Sequence, residues 1–259
     1  MNAELYSEIN GAGRDVVLLH GWGMHGGLWG QFKSLLAENI KTHTLDLPGF
    51  GFSREMESDF SLKALTYTVE AYIKKIKKPV SIIAWSLGGL IALNILQRKK
   101  IRLEKLVLIA STPSFTIKRG WESAMEQSVF DGFSNDLKQD YIKTLKRFLL
   151  LQTRGSELAR DELRELNQQL NSRGEPNIKA LENGLAILRD TDLRNDDKNT
   201  IAAMIILGEK DTLIPVSVKS EFKKTFPNSE VVIVEKTGHT PFISQPEYCA
   251  EKIKNFINE

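Results

Sequence analysis

The sequence predicts an α/β fold with a mostly parallel central sheet, helices on both faces, and an all-helical segment inserted between two strand-bearing halves. Three observations carry this. Short, continuous apolar runs alternate with stretches of helical periodicity, the pattern of strands covered on both faces and joined by crossover helices. The alternation stops between about 113 and 194, where only helical patterns are found, and then resumes. The 259 residues suffice for one large core carrying an insertion.

Taken in order, Val16-Val17-Leu18-Leu19 is the first apolar run and Lys41-Thr42-His43-Thr44-Leu45 the second. Ser61 suits an N-cap for a helix whose Leu62, Leu65, Val69, Ile73 and Ile76 form one stripe. A strand from Val80 to Ala84 is followed by helical spacing over Leu90–Leu96, then a strand over Leu106–Ile109. The helical insertion reads as four amphipathic stretches, Glu122–Phe130, Leu137–Gln152, Glu157–Leu170 and Ile178–Leu188, punctuated by Pro113, Gly155, Gly174 and Pro176. Two more strands, Ala203–Leu207 and Val231–Val234, complete the sheet. The expected division is a core of 1–112 and 195–259, with 113–194 as a cap over the C-terminal edge of the sheet.

Composition narrows the partners. A net charge of +2 with 26% charged residues supplies no global basic field for nucleic acid. No apolar run approaches the roughly 20 residues of a membrane span. The start, Met1-Asn2-Ala3-Glu4-Leu5-Tyr6, has no secretory character. Cys249 is the only cysteine, so no internal disulfide is possible; with Ile253 and Phe256 at helical spacing it reads as a packing residue. Four dispersed histidines and one cysteine make no metal ligand set, and no Walker or dinucleotide fingerprint is present. A cytoplasmic monomer without metal or cofactor is expected.

Chemistry enters at Ala84-Trp85-Ser86-Leu87-Gly88-Gly89. A small residue two before a serine and a glycine two after it, between strand and helix, form a nucleophile elbow. The turn is so tight that large side chains at 84 and 88 would collide, and Ser86 is displayed at its apex. Such a serine needs a base, an acid to orient the base, and donors for an oxyanion. Of His20, His25, His43 and His239, only His239 follows a late strand, in Lys236-Thr237-Gly238-His239-Thr240-Pro241. The strand-end loop Leu207-Gly208-Glu209-Lys210-Asp211 supplies Asp211 as the acid, with Glu209 as its nearest rival. The order serine, acid, histidine follows along the chain. His20-Gly21-Trp22-Gly23 after the first strand places a Trp22 N–H beside that of Leu87 as oxyanion donors; His20 is expected to brace this loop, and Asp46–Ser53 to pack without chemistry. Acyl transfer through Ser86, with His239 as base and Asp211 holding the imidazole, is the expected reaction.

These residues resemble the α/β-hydrolase superfamily over essentially the whole chain. Leu19-His20-Gly21-Trp22-Gly23-Met24, Trp85-Ser86-Leu87-Gly88-Gly89, Arg147-Phe148-Leu149-Leu150-Leu151-Gln152-Thr153 and Gly238-His239-Thr240-Pro241-Phe242-Ile243-Ser244-Gln245-Pro246 are similar to one branch, the BioH-type pimeloyl-[acyl-carrier protein] methyl ester esterases of biotin synthesis. The resemblance implies hydrolysis of the methyl ester at the far end of a pimeloyl chain carried on acyl-carrier protein. It implies that Trp22 and Leu87 line the oxyanion site and that Phe148 and Gln152 contact the acyl chain. It also implies docking of the acidic carrier on Lys143, Arg147, Arg160 and Arg164, with a lysine at 143 where an arginine is familiar. Lysine keeps the charge and loses the bidentate fork. Read without the resemblance, Glu157 with Arg160 and Asp161 with Arg164 are also spaced as ordinary surface pairs. Two other functions fit the same residues: a broad short-chain ester, lactone or C–C-bond hydrolase without a carrier, and a hydrolase-fold small-molecule receptor.

Overall fold

The computed structural model describes residues 4–170, 172–194 and 200–259. The expected cap–core boundary at 194/195 and the first three residues, part of the N-terminal reading, lie at or beyond the limits of the described residues. Among the described residues one sheet of seven strands runs β1(Ser7–Asn10), β2(Arg14–Leu19), β3(Ile40–Leu45), β4(Val80–Trp85), β5(Leu103–Ile109), β6(Ala202–Gly208) and β7(Glu230–Val234) in chain order. Their spatial order is β1-β3-β2-β4-β5-β6-β7. β1 pairs antiparallel with β3; every other pairing is parallel.

The core helices are α1(Gly30–Leu36), α2(Leu62–Ile76), α3(Leu87–Arg98) and, after the insertion, α8(Lys219–Thr225), α9(Pro241–Ser244) and α10(Pro246–Asn258). The chain moves one way from β2 to β3 and the other way from β3 to β4 and on to β5. Right-handed crossovers therefore set α1 on one face and α2 and α3 on the other, and α10 returns to pack against α1. β2 to β5 bury their apolar side chains almost completely, as two-sided cover requires. Ser61 caps α2, its Oγ accepting the Ala64 N–H at 3.1 Å. Cys249, Ile253 and Phe256 are buried along α10, and burial pushes the Cys249 thiol up to about 12, which suits packing and not nucleophilic chemistry.

Because β2 lies between β3 and β4, the loops leaving β2 and β4 diverge at the C-terminal edge. This is the switch point at which open α/β sheets form their crevice. Above it, between β5 and β6, lie α4(Gln127–Gln139), α5(Tyr141–Thr153), α6(Ala159–Leu170) and α7(Ile178–Asp190). The first two of these helices differ most from the expectation: α4 runs Gln127–Gln139, not Glu122–Phe130. Residues 115–125 are not helical: Thr116 bridges Met125 and Lys118 bridges Trp121, with Gly120 at φ 74° closing the turn. The second helix starts at Tyr141, not Leu137, because Asp140 leaves helical geometry and its side chain accepts the Lys143 N–H. Residues 172–177 fasten this segment to the core: Arg173 Nη1 donates to both Asp46 oxygens, at 3.0 and 3.1 Å, and its Nη2 reaches Glu8. Asp46 thus does more than shape a turn. It accepts from the Gly26 and Phe52 N–H groups, each at 2.7 Å, as well as from the guanidinium.

Candidate active site

Between Trp85, the last residue of β4, and Leu87, the first of α3, a single residue turns the chain from strand to helix. Ser86 does so at φ 53°, ψ −119°, a conformation that costs a non-glycine residue on the order of 1–3 kcal/mol. The turn is held from both sides. Ser86 N–H donates to Ile109 O at 3.0 Å and Gly89 N–H to Ser86 O at 2.9 Å, and Ser111 Oγ donates to the same carbonyl at 2.8 Å. Position 88 has room for nothing beyond a hydrogen: a Cβ there would lie 2.7 Å from Leu19 O and 2.8 Å from His20 O.

His239 Nε2 lies 2.9 Å from Ser86 Oγ, and its Nδ1 lies 2.8 Å from Asp211 Oδ2. The other carboxylate oxygen of Asp211 accepts the Leu213 and Ile214 N–H groups at 2.8 and 3.0 Å. The carboxylate is therefore fixed with one oxygen aimed at the ring. That contact selects the tautomer with a proton on Nδ1, leaving Nε2 as the acceptor toward the serine hydroxyl. All three side chains are buried. The rival acid, Glu209, is exposed, accepts the Lys236 N–H at 2.9 Å and pairs with Lys210 at 3.4 Å.

The imidazole backbone is clamped by groups that no local pattern marks. Its N–H donates to Gln152 O at 2.9 Å, and the Trp85 indole N–H donates to His239 O at 2.9 Å. The Trp85 ring stands 5.8 Å from the imidazole and 5.5 Å from Phe242.

The expected oxyanion donors are the Leu87 and Trp22 N–H groups. The Leu87 N–H opens α3, where no helical carbonyl can receive it. Trp22 sits in the loop after β2, and its indole N–H donates to Leu181 O at 2.9 Å, tying that loop to α7. His20 braces the loop, with Nδ1 2.8 Å from Gly21 O and Nε2 accepting the Leu47 N–H at 2.9 Å. Burial lowers its pKa to about 4, so it is a neutral strut at pH 7.

The expected cap residues lie close by. Phe148 stacks edge-on to Trp22 with centroids 4.8 Å apart, and edge-on to Phe133 at 5.3 Å. Gln152 is buried, its backbone carbonyl engaged with His239, while neither Nε2 nor Oε1 of its side chain has a partner. Such an unpartnered amide is costly to bury unless something else bonds it. Lys143, Arg147, Arg160 and Arg164 are exposed on α5 and α6. Arg147 pairs with Asp136 and lies 5.1 Å over the Phe133 ring. Asp161 and Arg164 pair at 3.2 Å. The other surface pair suggested by spacing does not form, since Glu157 turns to Lys236 at 3.2 Å. Among the described residues no cluster of His, Cys, Asp or Glu is arranged for a metal ion, and no helix is long and apolar enough to cross a membrane.

Residues 16–252 match the model of the alpha/beta hydrolase family. The pimeloyl-[acyl-carrier protein] methyl ester esterase of Aeromonas salmonicida is 37% identical over 249 residues, covering 95% of this chain and 96% of that one. Those of Xanthomonas axonopodis pv. citri and Vibrio vulnificus are 37% and 34% identical, covering 98% and 100% of both chains respectively. Among solved structures, an esterase from Exiguobacterium antarcticum superposes with a TM-score of 0.89 at 24% identity, covering 98% of this chain and 96% of that one. A bromoperoxidase from Bacillus anthracis superposes at 0.88 and 20%, covering 98% of this chain and 95% of that one; these two likenesses show the fold. The chain belongs to the alpha/beta hydrolase family, in the branch of the pimeloyl-[acyl-carrier protein] methyl ester esterases.

Proposed function

We propose that this chain hydrolyses the methyl ester at the far end of a pimeloyl chain borne on acyl-carrier protein, freeing the distal carboxylate for biotin synthesis. The observation that carries the chemistry is the unbroken line from Asp211 Oδ2 through His239 to Ser86 Oγ, at 2.8 and 2.9 Å. Ser86 Oγ attacks the ester carbonyl as His239 Nε2 takes its proton. The oxyanion is received by the Leu87 and Trp22 N–H groups. As the C–O bond to the methoxy group breaks, the imidazolium returns the proton and methanol leaves. Water then attacks the acyl-enzyme, with His239 again as base, and Ser86 recovers its proton as the carboxylate is released.

Residues 113–194 act as the cap of this site, with Phe148 as a wall for the acyl chain and the unpartnered Gln152 amide NH2 as a donor toward a carbonyl oxygen of it. The exposed cations Lys143, Arg147, Arg160 and Arg164 receive the acidic carrier. Arg147 and Arg164 already have carboxylate neighbours, so Lys143 and Arg160 are the freer charges. The test compares methyl pimeloyl-carrier protein with free dimethyl pimelate. Arg160→Glu with Arg164→Glu should raise KM for the carrier-linked ester, more so at low salt, and leave dimethyl pimelate unchanged. Equal loss on both substrates argues against docking through these residues, and binding of esters without turnover favours a receptor.

A further inference from the structure

One buried carboxyl group near the site has no part in the reaction just described. Glu162 lies on α6 between the outward-facing Arg160 and Arg164, and is itself 1% exposed. Burying a carboxylate is unfavourable unless its oxygens are hydrogen-bonded, and these are. Oε2 accepts from Thr240 Oγ1 at 2.6 Å, Oε1 accepts from Ser244 Oγ at 2.7 Å, and Oε1 also takes the Ser156 hydroxyl.

Those partners determine what the carboxylate does. Thr240 is the residue after His239 and is itself fully buried. Ser244 closes α9, the short helix that follows Thr240, and its hydroxyl also reaches Thr240 O at 3.2 Å. Glu162 thus grips the chain leaving the histidine at two points from a helix of the insertion. The chain entering the histidine is held from the same side by Glu157 N–H to Lys236 O at 3.0 Å and by His239 N–H to Gln152 O at 2.9 Å. The loop after β6 contributes Lys210 N–H to Thr237 O at 2.8 Å.

We infer that Glu162 is a positioning residue: by accepting the Thr240 and Ser244 hydroxyls it holds the histidine loop against α6 and keeps His239 Nε2 in line with Ser86 Oγ. This rests on the triad assigned above. A glutamine has the same shape but one acceptor oxygen and an NH2 group, so at least one hydroxyl loses its carboxylate acceptor and must rotate to accept from the NH2, exchanging a charge-assisted bond for a weaker neutral one. Misplacement of a reacting group by about 1 Å can cost on the order of 10²-fold, and a partial loosening less.

The experiment measures kcat and KM for p-nitrophenyl acetate and dimethyl pimelate, with kcat expressed per site titrated by a fluorophosphonate, so that unfolded protein drops out. Glu162→Gln and Thr240→Val should each lower kcat per site roughly 10-fold or more, with KM within about twofold. Thr240→Ser, which keeps the hydroxyl, should restore most of it. The double variant Glu162→Gln/Thr240→Val should lose clearly less than the product of the two single losses, because both changes act on the Glu162–Thr240 contact. Unchanged kcat per site in Glu162→Gln, or a double variant whose losses multiply, overturns the assignment. Ser86→Ala, measured alongside, separates the two failures: activity surviving there sinks the triad itself, whereas an inactive Ser86→Ala with a fully active Glu162→Gln sinks only the role of Glu162.

Discussion

Gly184 offers a sharp test of how the insertion supports the Trp22 loop, to which the proposed mechanism gives one oxyanion donor. It lies on α7 facing Trp22, and a Cβ at this position would stand 2.5 Å from Trp22 Cδ1 and 2.9 Å from its Nε1. Ordinary carbon contacts begin near ~3.5 Å, so Gly184→Ala forces a displacement of roughly 1 Å. The indole cannot slide freely, because its N–H is bonded to Leu181 O on the same helix and its face meets Phe148. Two stability effects oppose each other. Alanine in a helix interior gains about 1 kcal/mol over glycine, and overpacking costs typically 1–3 kcal/mol. The net change in Tm is therefore expected to be small, and stability is the wrong readout. Activity is the right one. Shifting the Trp22 backbone by a fraction of that 1 Å takes its N–H out of line with the oxyanion, and losing one such donor costs on the order of 10²–10³ in kcat. Steady-state kinetics on p-nitrophenyl acetate should show kcat falling at least tenfold while KM holds. A folded Gly184→Ala variant with unchanged kcat and a raised KM would refute the reasoning, since α7 would then have yielded and the loop would not depend on it.

Other perturbations have definite outcomes. Asp211→Asn keeps the shape but presents an amide to Nδ1 and favours the wrong tautomer, so kcat should drop on the order of 10⁴-fold with the fold intact by circular dichroism. Arg173→Met leaves Asp46 buried with only its two backbone donors, so urea unfolding should show a loss of about 3 kcal/mol; an unchanged midpoint would mean the pair is dispensable. His20, held neutral by burial with a pKa lowered to about 4, makes stability pH-dependent. Below about 6.5 the unfolded chain takes up a proton that the native state refuses, so stability falls as pH drops from about 6.5 to 4, by about 3 kcal/mol in all. His20→Gln should flatten that part of the pH–stability curve.

What the chain reveals by itself follows the range over which each interaction acts. The Ser86 turn was readable because a strand, a tight bend and a helix N-terminus are consecutive in sequence and constrain residues 84 to 89 locally. His239 and Asp211 became readable through chain order, since each follows a strand end. β1 was not anticipated: Ser7–Asn10 is short and mostly polar with Ile9 exposed, and only pairing with β3 makes it a strand. The helix expected from Glu122 starts only at Gln127, because over 115–125 bridges between residues and a left-handed Gly120 prevail. The most informative misses are long-range side-chain contacts. Trp85 to His239 O, Arg173 to Asp46 and Glu162 to Thr240 span 154, 127 and 78 residues, and no periodicity points at such partners. Glu157 shows the converse: its spacing suits Arg160, but the folded chain brings Lys236 nearer.

The most direct measurement labels the enzyme with a fluorophosphonate, identifies the modified peptide by mass spectrometry, and follows methanol release from methyl pimeloyl-carrier protein in the same samples. One adduct per chain on Ser86 is expected, with adduct and methanol release lost together in Ser86→Ala and in His239→Ala. An adduct on any other residue, or methanol release surviving in Ser86→Ala, would contradict the assignment of Ser86 as the nucleophile.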